Sequence, residues 1–165
     1  MKTLFAIALS LCTVSSFAQQ TTQDDINRDV WYNFMQAYQD LDASLFNQIH
    51  TDDVIRVVID QNMMFVGQEY KDRNLENFNR WNANNVKQKI EFSFYNRASK
   101  NGIAYETGIF KLTRYQGFES KSYYGKFHVT LKKIAGTWKI HIDSDTNESG
   151  TINEEDFLKG DELGF

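Results

Sequence analysis

Proline is absent from this 165-residue chain, and cysteine occurs once, as Cys12. With no proline, the tight turns fall to glycine and asparagine. With one cysteine, no disulfide can form within the chain and a cysteine metal cluster is excluded. Histidine is nearly as scarce: His50, His128 and His141 are scattered without metal-ligand spacing, so zinc is not expected. Basic residues are in deficit, 18 against 22 acidic, for a net charge of −4. That balance argues against an electrostatic nucleic-acid surface. The apolar run near the start is well short of the roughly 20 residues of a membrane-spanning helix. Aromatic side chains are plentiful at 15% of the residues, enough for a large core or a lined cavity.

Met1 to Ala18 carries Lys2, then Leu4-Phe5-Ala6-Ile7-Ala8-Leu9-Ser10-Leu11, then small residues with Ser16 and Ala18 at the −3 and −1 positions. This is the pattern of a secretory signal peptide. Cys12 would suit a lipoprotein signal, but Leu11 precedes it where a small residue belongs. The expectation is soluble export, to the periplasm or the medium, with Cys12 removed by cleavage after Ala18. Residues 19–144 then form one domain, and 145–165 an acidic tail.

From Ile26 the apolar positions Ile26, Val30, Phe34, Ala37, Tyr38, Leu41 and Leu45 follow a 3.6-residue stripe, which predicts an amphipathic helix ending near Gln48 and capped by Asp24 or Asp25. A turn through His50-Thr51-Asp52-Asp53 leads to the β-branched strand Val54 to Ile59. Gln61-Asn62 turns the chain into Met63 to Val66, and Gly67 releases it into a helix from about Glu69 to Asn82, with Leu75, Phe78 and Trp81 inward.

Val86 to Ser144 reads as four antiparallel strands. Asn101-Gly102 is a strong two-residue hairpin signal and pairs Lys100 with Ile103, hence Arg97 with Glu106. A three-residue loop at Gln116-Gly117-Phe118 pairs Glu106 with His128, and a turn at Ala135-Gly136 pairs His128 with Asp143. One face then collects Ile90, Phe92, Phe94, Ile109, Phe127, Val129, Leu131, Trp138, Ile140 and Ile142, with Asn96, Tyr105, Thr107, Tyr123 and Lys111. The other collects Glu91, Arg97, Glu106, Arg114, Lys126, His128, Lys132, Lys139, His141 and Asp143, with Phe110, Leu112 and Tyr124.

This order of elements, with Asp40-Leu41-Asp42, Thr51-Asp52-Asp53-Val54, Phe65-Val66-Gly67, Gly125-Lys126-Phe127 and the strand Gly136-Thr137-Trp138-Lys139-Ile140-His141-Ile142-Asp143, resembles the nuclear transport factor 2-like superfamily and its SnoaL-like branch of exported bacterial proteins. The resemblance spans roughly Asp25 to Ser144. It implies an α+β cone, a curved antiparallel sheet wrapped round a long N-terminal helix. It also implies a small apolar ligand inside and a homodimer through the sheet's outer face. Similarity to the ketosteroid isomerase members would place their tyrosine at Tyr32 or, in another alignment, at Phe34. Their two acids would fall near Val58 and Val129. Neither valine can move a proton, so that mechanism has no support here.

The candidate pocket residues are therefore Trp31, Phe34, Tyr38, Asn96, Tyr105, Thr107 and Tyr123; an ordinary aromatic core is the alternative. Arg97, Glu106, His128 and Asp143 form a ladder of alternating charge on the outer face, which could orient His128 but is better read as cross-strand pairing. In the tail, Asp145 to Asp156 has the spacing of an EF-hand calcium loop, with oxygens at Asp145, Asn147, Ser149, Thr151 and Asp156 and with Gly150 at the sixth position. It departs from the pattern in having Asp at the twelfth position and a strand before it. Its other reading is a solvated tail whose Thr151 or Asn153 caps a last short helix. No other cofactor is expected. The function these residues imply is binding of a small apolar ligand. The alternatives are a lyase or isomerase working through pocket tyrosines, and a calcium-binding interaction module.

Overall fold

The computed structural model describes residues 22–164. The expected leader, Met1 to Ala18, and its expected cleavage site lie outside the described residues.

The first helix, α1, occupies 22–40 and buries Ile26, Val30, Phe34 and Ala37. Its turn Asn27–Trp31 is π-wound, and the wider turn lets the consecutive Val30 and Trp31 both face inward. The helix does not run on to Gln48. Leu41 takes a left-handed conformation (φ 56), and the Asp42 carboxylate accepts from the Leu45 N–H at 2.9 Å to start a second helix, α2, Ala43–Gln48. An N-cap aspartate thus overrides the apolar periodicity. Asp24 and Asp25 lie inside α1, not at a cap.

The segment His50 to Asp53 is not a turn but the start of β1, His50–Val58. A 3-10 turn and Asn62 in the left-handed region lead into β2, Met63–Val66. Helix α3, Gln68–Ala83, buries Tyr70, Asn74 and Phe78, a stripe four residues apart. Leu75 stands one position off that stripe and is 50% exposed, which corrects its inward placement.

The long strands are β3 Lys87–Lys100, β4 Ile103–Gln116, β5 Glu119–Ile134 and β6 Thr137–Thr146. With β7, Asp161–Glu162, they form one sheet in the order β2-β1-β6-β5-β4-β3-β7. Neighbours are antiparallel except β1 and β6, which run parallel because the whole β2 to β5 segment serves as the crossover between them. The helices pack on the concave face, and the result is the expected α+β cone.

Register is where sequence and structure part. Lys100 pairs with Ile103 and Arg97 with Glu106, as expected. The β4–β5 connection, however, has two residues, Gly117-Phe118, with Gly117 at φ 60, so Gln116 pairs with Glu119. Glu106 therefore lies opposite Val129, not His128. Two register shifts add to this change. One falls between Phe94 and Asn96 of β3, the other opposite Thr130/Leu131, where β6 carries His141 as an extra residue. Each extra residue exchanges the faces of the strand beyond it. Gly108 sits against the first shift: a Cβ there would lie 2.0 Å from the Ser93 carbonyl oxygen, a contact that only glycine avoids.

As a result Arg97, Glu106, Phe110, Leu112, Arg114 and Asp143 turn to the concave side. Asn96, Tyr105, Thr107, Ile109, Lys111 and Ile142 turn to the convex side, while Tyr123, opposite Leu112, keeps the concave side expected of it. The tail covers part of that convex face. Ile152 and Phe157 are buried on Ile109 with Tyr124 beside them, and Lys111–Glu154 and Lys126–Glu148 ion pairs hold the segment down. Its last helix, α4, Glu154–Phe157, is capped by Asn153 in a reciprocal box with Asp156.

Candidate functional site

The concave side of the sheet and helices α1, α2 and α3 surround a cavity of about 510 Å³. Its aromatic wall is built from each element in turn: Trp31, Phe34 and Tyr38 on α1, Phe46 on α2, Phe78 and Trp81 on α3, Phe92 on β3, Phe110 on β4 and Phe127 on β5. Rings meet at centroid distances of 4.6 to 6.0 Å, from Trp31–Phe92 to Trp31–Phe34.

One side of this apolar chamber is charged. Parallel pairing sets Arg56 beside Asp143 and Val58 beside Asp145, and all four side chains line the cavity. Arg56 binds Asp145 at 2.6 Å and Asp143 at 3.3 Å, and the Tyr70 hydroxyl donates to Asp143 at 3.4 Å. Burial raises the Asp145 carboxyl above the usual aspartate range, with Arg56 pulling the other way. Burial also opposes the charge on Arg56, yet Asp143 and Asp145 hold that guanidinium firmly protonated. Tyr38 is pushed up to about 12 by burial, and Tyr70 well above its ordinary value by burial and the neighbouring Asp143. Both phenols are therefore neutral donors at neutral pH. Asp60, at the rim, accepts from the Thr146 hydroxyl and the Asn147 N–H, which keep its carboxyl below the usual range.

Behind the aromatic wall lies a second polar group. Glu106 is fully buried. It accepts from the Trp31 indole at 2.6 Å and from Arg97 at 3.1 and 3.2 Å, while Arg97 also donates to Asn27. The π-wound turn carries both Asn27 and Trp31, so this network locks α1 to β3 and β4. Burial raises the Glu106 carboxyl, opposed by Arg97 and Trp31.

Of the pocket residues expected from sequence, Trp31, Phe34 and Tyr38 line the cavity. Asn96, Tyr105, Thr107 and Tyr123 do not: the first three project from the convex face, Tyr105 47% exposed with its hydroxyl 3.0 Å from His128 Nδ1 and Thr107 within 3.4 Å of Asn96, while Tyr123 stands on the concave face opposite Leu112 but is exposed, outside the cavity. The expected ladder is likewise divided. Arg97, Glu106 and Asp143 face inward, His128 outward opposite Thr107 and Ser144. Except for Tyr123, the cause is a one-residue change of register. Arg56, Tyr70, Arg114 and the inward turn of Asp145 escaped sequence reasoning. Their signal was present: a lone arginine interrupts the apolar run Val54 to Ile59, and Asp143 and Asp145 stand two apart on one strand.

The oxygens of the tail segment are engaged singly and do not converge. Asp145 binds Arg56, Asn147 accepts from the Gly150 N–H, and Asp156 accepts from the Asn153 N–H and from Lys159. Among the described residues no group of three His, Cys, Asp or Glu is arranged to hold a metal ion. Calorimetric titration with calcium to millimolar concentration, where weak extracellular loops bind, tests the EF-hand expectation: these engaged oxygens predict no heat, and a saturable signal would support calcium binding.

The cone, its central helix and the chamber inside it are those of the nuclear transport factor 2-like fold. No family model matches the sequence, and no curated protein is similar to it. Solved structures supply the likeness. A putative scytalone dehydratase from Novosphingobium aromaticivorans superposes with a TM-score of 0.65 at 14% identity, over 79% of this chain and 86% of that one. A nuclear transport factor 2-like protein of unknown function from Shewanella oneidensis gives 0.61 at 16% identity, over 75% and 98%. An N. aromaticivorans protein of the same fold gives 0.62 at 11% identity, over 100% and 99%. At these identities the likeness is one of fold.

Proposed function

We propose that this is an exported protein that holds a small, largely aromatic or apolar molecule inside its cone. The observation that carries this reading is the chamber itself, about 510 Å³ walled by aromatic rings and bordered on one side by Arg56, Asp143, Asp145 and Tyr70. Such a chamber has the size and the mixture of apolar wall and few convergent polar groups typical of ligand sites. Export rests on the Met1 to Ala18 pattern. A homodimer would use the part of the convex face that the tail leaves open, around Tyr105, His128, Lys132 and Lys139.

A second reading, a lyase or isomerase, is favoured by one specific observation. Two carboxylates do face the cavity, and one of them, Asp145, has its proton affinity raised by burial. A carboxylate so placed can exchange a proton with a carbon acid while a neutral tyrosine donates to the developing oxyanion. The fold likeness to a putative scytalone dehydratase agrees with lyase chemistry.

Native mass spectrometry of the protein purified from its own exported compartment tests the main reading. A stoichiometric organic mass, released on denaturation, is the expected result. A bare protein that also fails to bind any member of an aromatic small-molecule panel would overturn it.

A further inference from the structure

We propose that the cavity takes a small aromatic carboxylate, anchored by Arg114. This rests on the ligand-binding reading above and specifies the chemistry of its ligand. Three guanidinium groups line the chamber, those of Arg56, Arg73 and Arg114. Arg56 is neutralised by Asp143 and Asp145. Arg73 is exposed and lies over the Phe65 ring at 4.1 Å. Arg114 differs from both.

Its Nε donates to Gln88 Oε1 at 3.3 Å, and Gln88 is itself only 3% exposed, so the base of the fork is held from inside the fold. Its guanidinium carbon lies 5.6 Å from the Trp81 ring. Among the described residues no carboxylate pairs with Arg114, and its two terminal nitrogens make no hydrogen bond. A part-buried guanidinium with a free planar fork is matched by a carboxylate, which accepts two parallel hydrogen bonds. A purely apolar ligand would desolvate that fork without replacing its hydration.

The surroundings of the fork define the rest of the ligand. Tyr38, Phe78 and Trp81 form a contiguous aromatic triad, with centroids 5.0 to 5.9 Å apart. A flat ring attached to the carboxylate would lie against it. The Tyr38 hydroxyl has no partner among the described residues and lies within electrostatic reach of both Arg114 and the Arg56 cluster. It is placed to donate to a second polar substituent. The anionic Asp60 does not oppose this arrangement. It sits at the β1–β2 turn, where the Thr146 hydroxyl and the Asn147 N–H already engage it, and β6 and β5 separate β1 from β4 in the sheet.

Isothermal titration of the purified protein with naphthoate and with its neutral counterpart naphthylmethanol tests the proposal. The wild type is expected to bind naphthoate roughly tenfold more tightly. Arg114→Met should erase that preference, and Arg114→Lys should restore it only in part. Unchanged circular dichroism would show that each variant is folded. Equal affinities in the wild type, or a preference that survives Arg114→Met, would overturn the carboxylate assignment and leave the ligand-binding reading standing. Binding of neither probe would overturn the carboxylate assignment and count against ligand binding as well.

Discussion

Replacing Glu106 with alanine is expected to cost about 3 to 5 kcal/mol of folding free energy, because removing one partner of a buried ion pair strands the other. Arg97 would keep its charge with only Asn27 and the Phe94 ring beside it, and the Trp31 N–H would lose its acceptor. For a chain of this length the loss corresponds to a fall in Tm on the order of 10 °C. Glu106→Gln preserves the shape and an acceptor for Trp31, so it should cost less than half as much. The double variant Glu106→Ala with Arg97→Met should recover part of the loss, since no uncompensated charge then remains. Thermal and urea unfolding of the four proteins measure these differences. A Glu106→Ala protein within about 1 kcal/mol of wild type would show that the network does not hold α1 to the sheet.

His50 should make the fold acid-labile. It is fully buried against Phe46 and Tyr70. Its Nδ1 lies 2.8 Å from the Phe46 carbonyl oxygen, which can only accept, so Nδ1 carries the proton. Nε2 is then a bare acceptor with no partner among the described residues. Burial pushes the ring down to about 3, with Arg56, Lys71 and Lys139 adding to the depression. The unfolded chain therefore binds one proton more than the folded one between about pH 6.5 and pH 3, and stability falls as the pH falls through that window. The slope is about 1.4 kcal/mol per pH unit, for a total of about 4 to 5 kcal/mol. His50→Phe removes the titrating nitrogen. Chemical denaturation from pH 7 to pH 4 should give curves for the two proteins that converge as the pH is lowered; parallel curves would show that His50 does not titrate in this way.

The architecture was legible in the sequence because its signals are local. Asn101-Gly102 set the β3–β4 hairpin, and the alternation in β5 identified Phe127, Val129 and Leu131 as core. The site was much less legible. It depends on which side of a strand each residue faces, and that is decided by three irregularities worth one residue apiece: the short Gly117-Phe118 turn and the two register shifts at Tyr95 and His141. Nothing in the sequence around Tyr95 or His141 announces a shift, whereas Gly117 was open to a two-residue turn. Reading them as regular placed Glu106, Arg114 and Asp143 on the outer face and sent Tyr105 and Thr107 into the cavity. Arg56 needed no register at all, since an arginine among Val54, Ile55, Val57 and Val58 is already anomalous in a strand facing a core.

The short pairing of β7 with β3 bears on how copies of this protein meet one another. Strand β3 borders the sheet, and an unguarded border strand is a template on which another polypeptide can continue the ladder. Asp161 and Glu162 occupy the bonding positions opposite Ser93 and Phe94, and the Leu163 N–H extends the cover to the Phe92 carbonyl. The guarded stretch is the apolar one, Phe92 to Phe94. The border left open towards its start carries Lys87, Lys89 and Glu91, charges that disfavour stacking of like strands. The same tail that seals Ile109 from water thus also blunts the sheet against end-to-end growth.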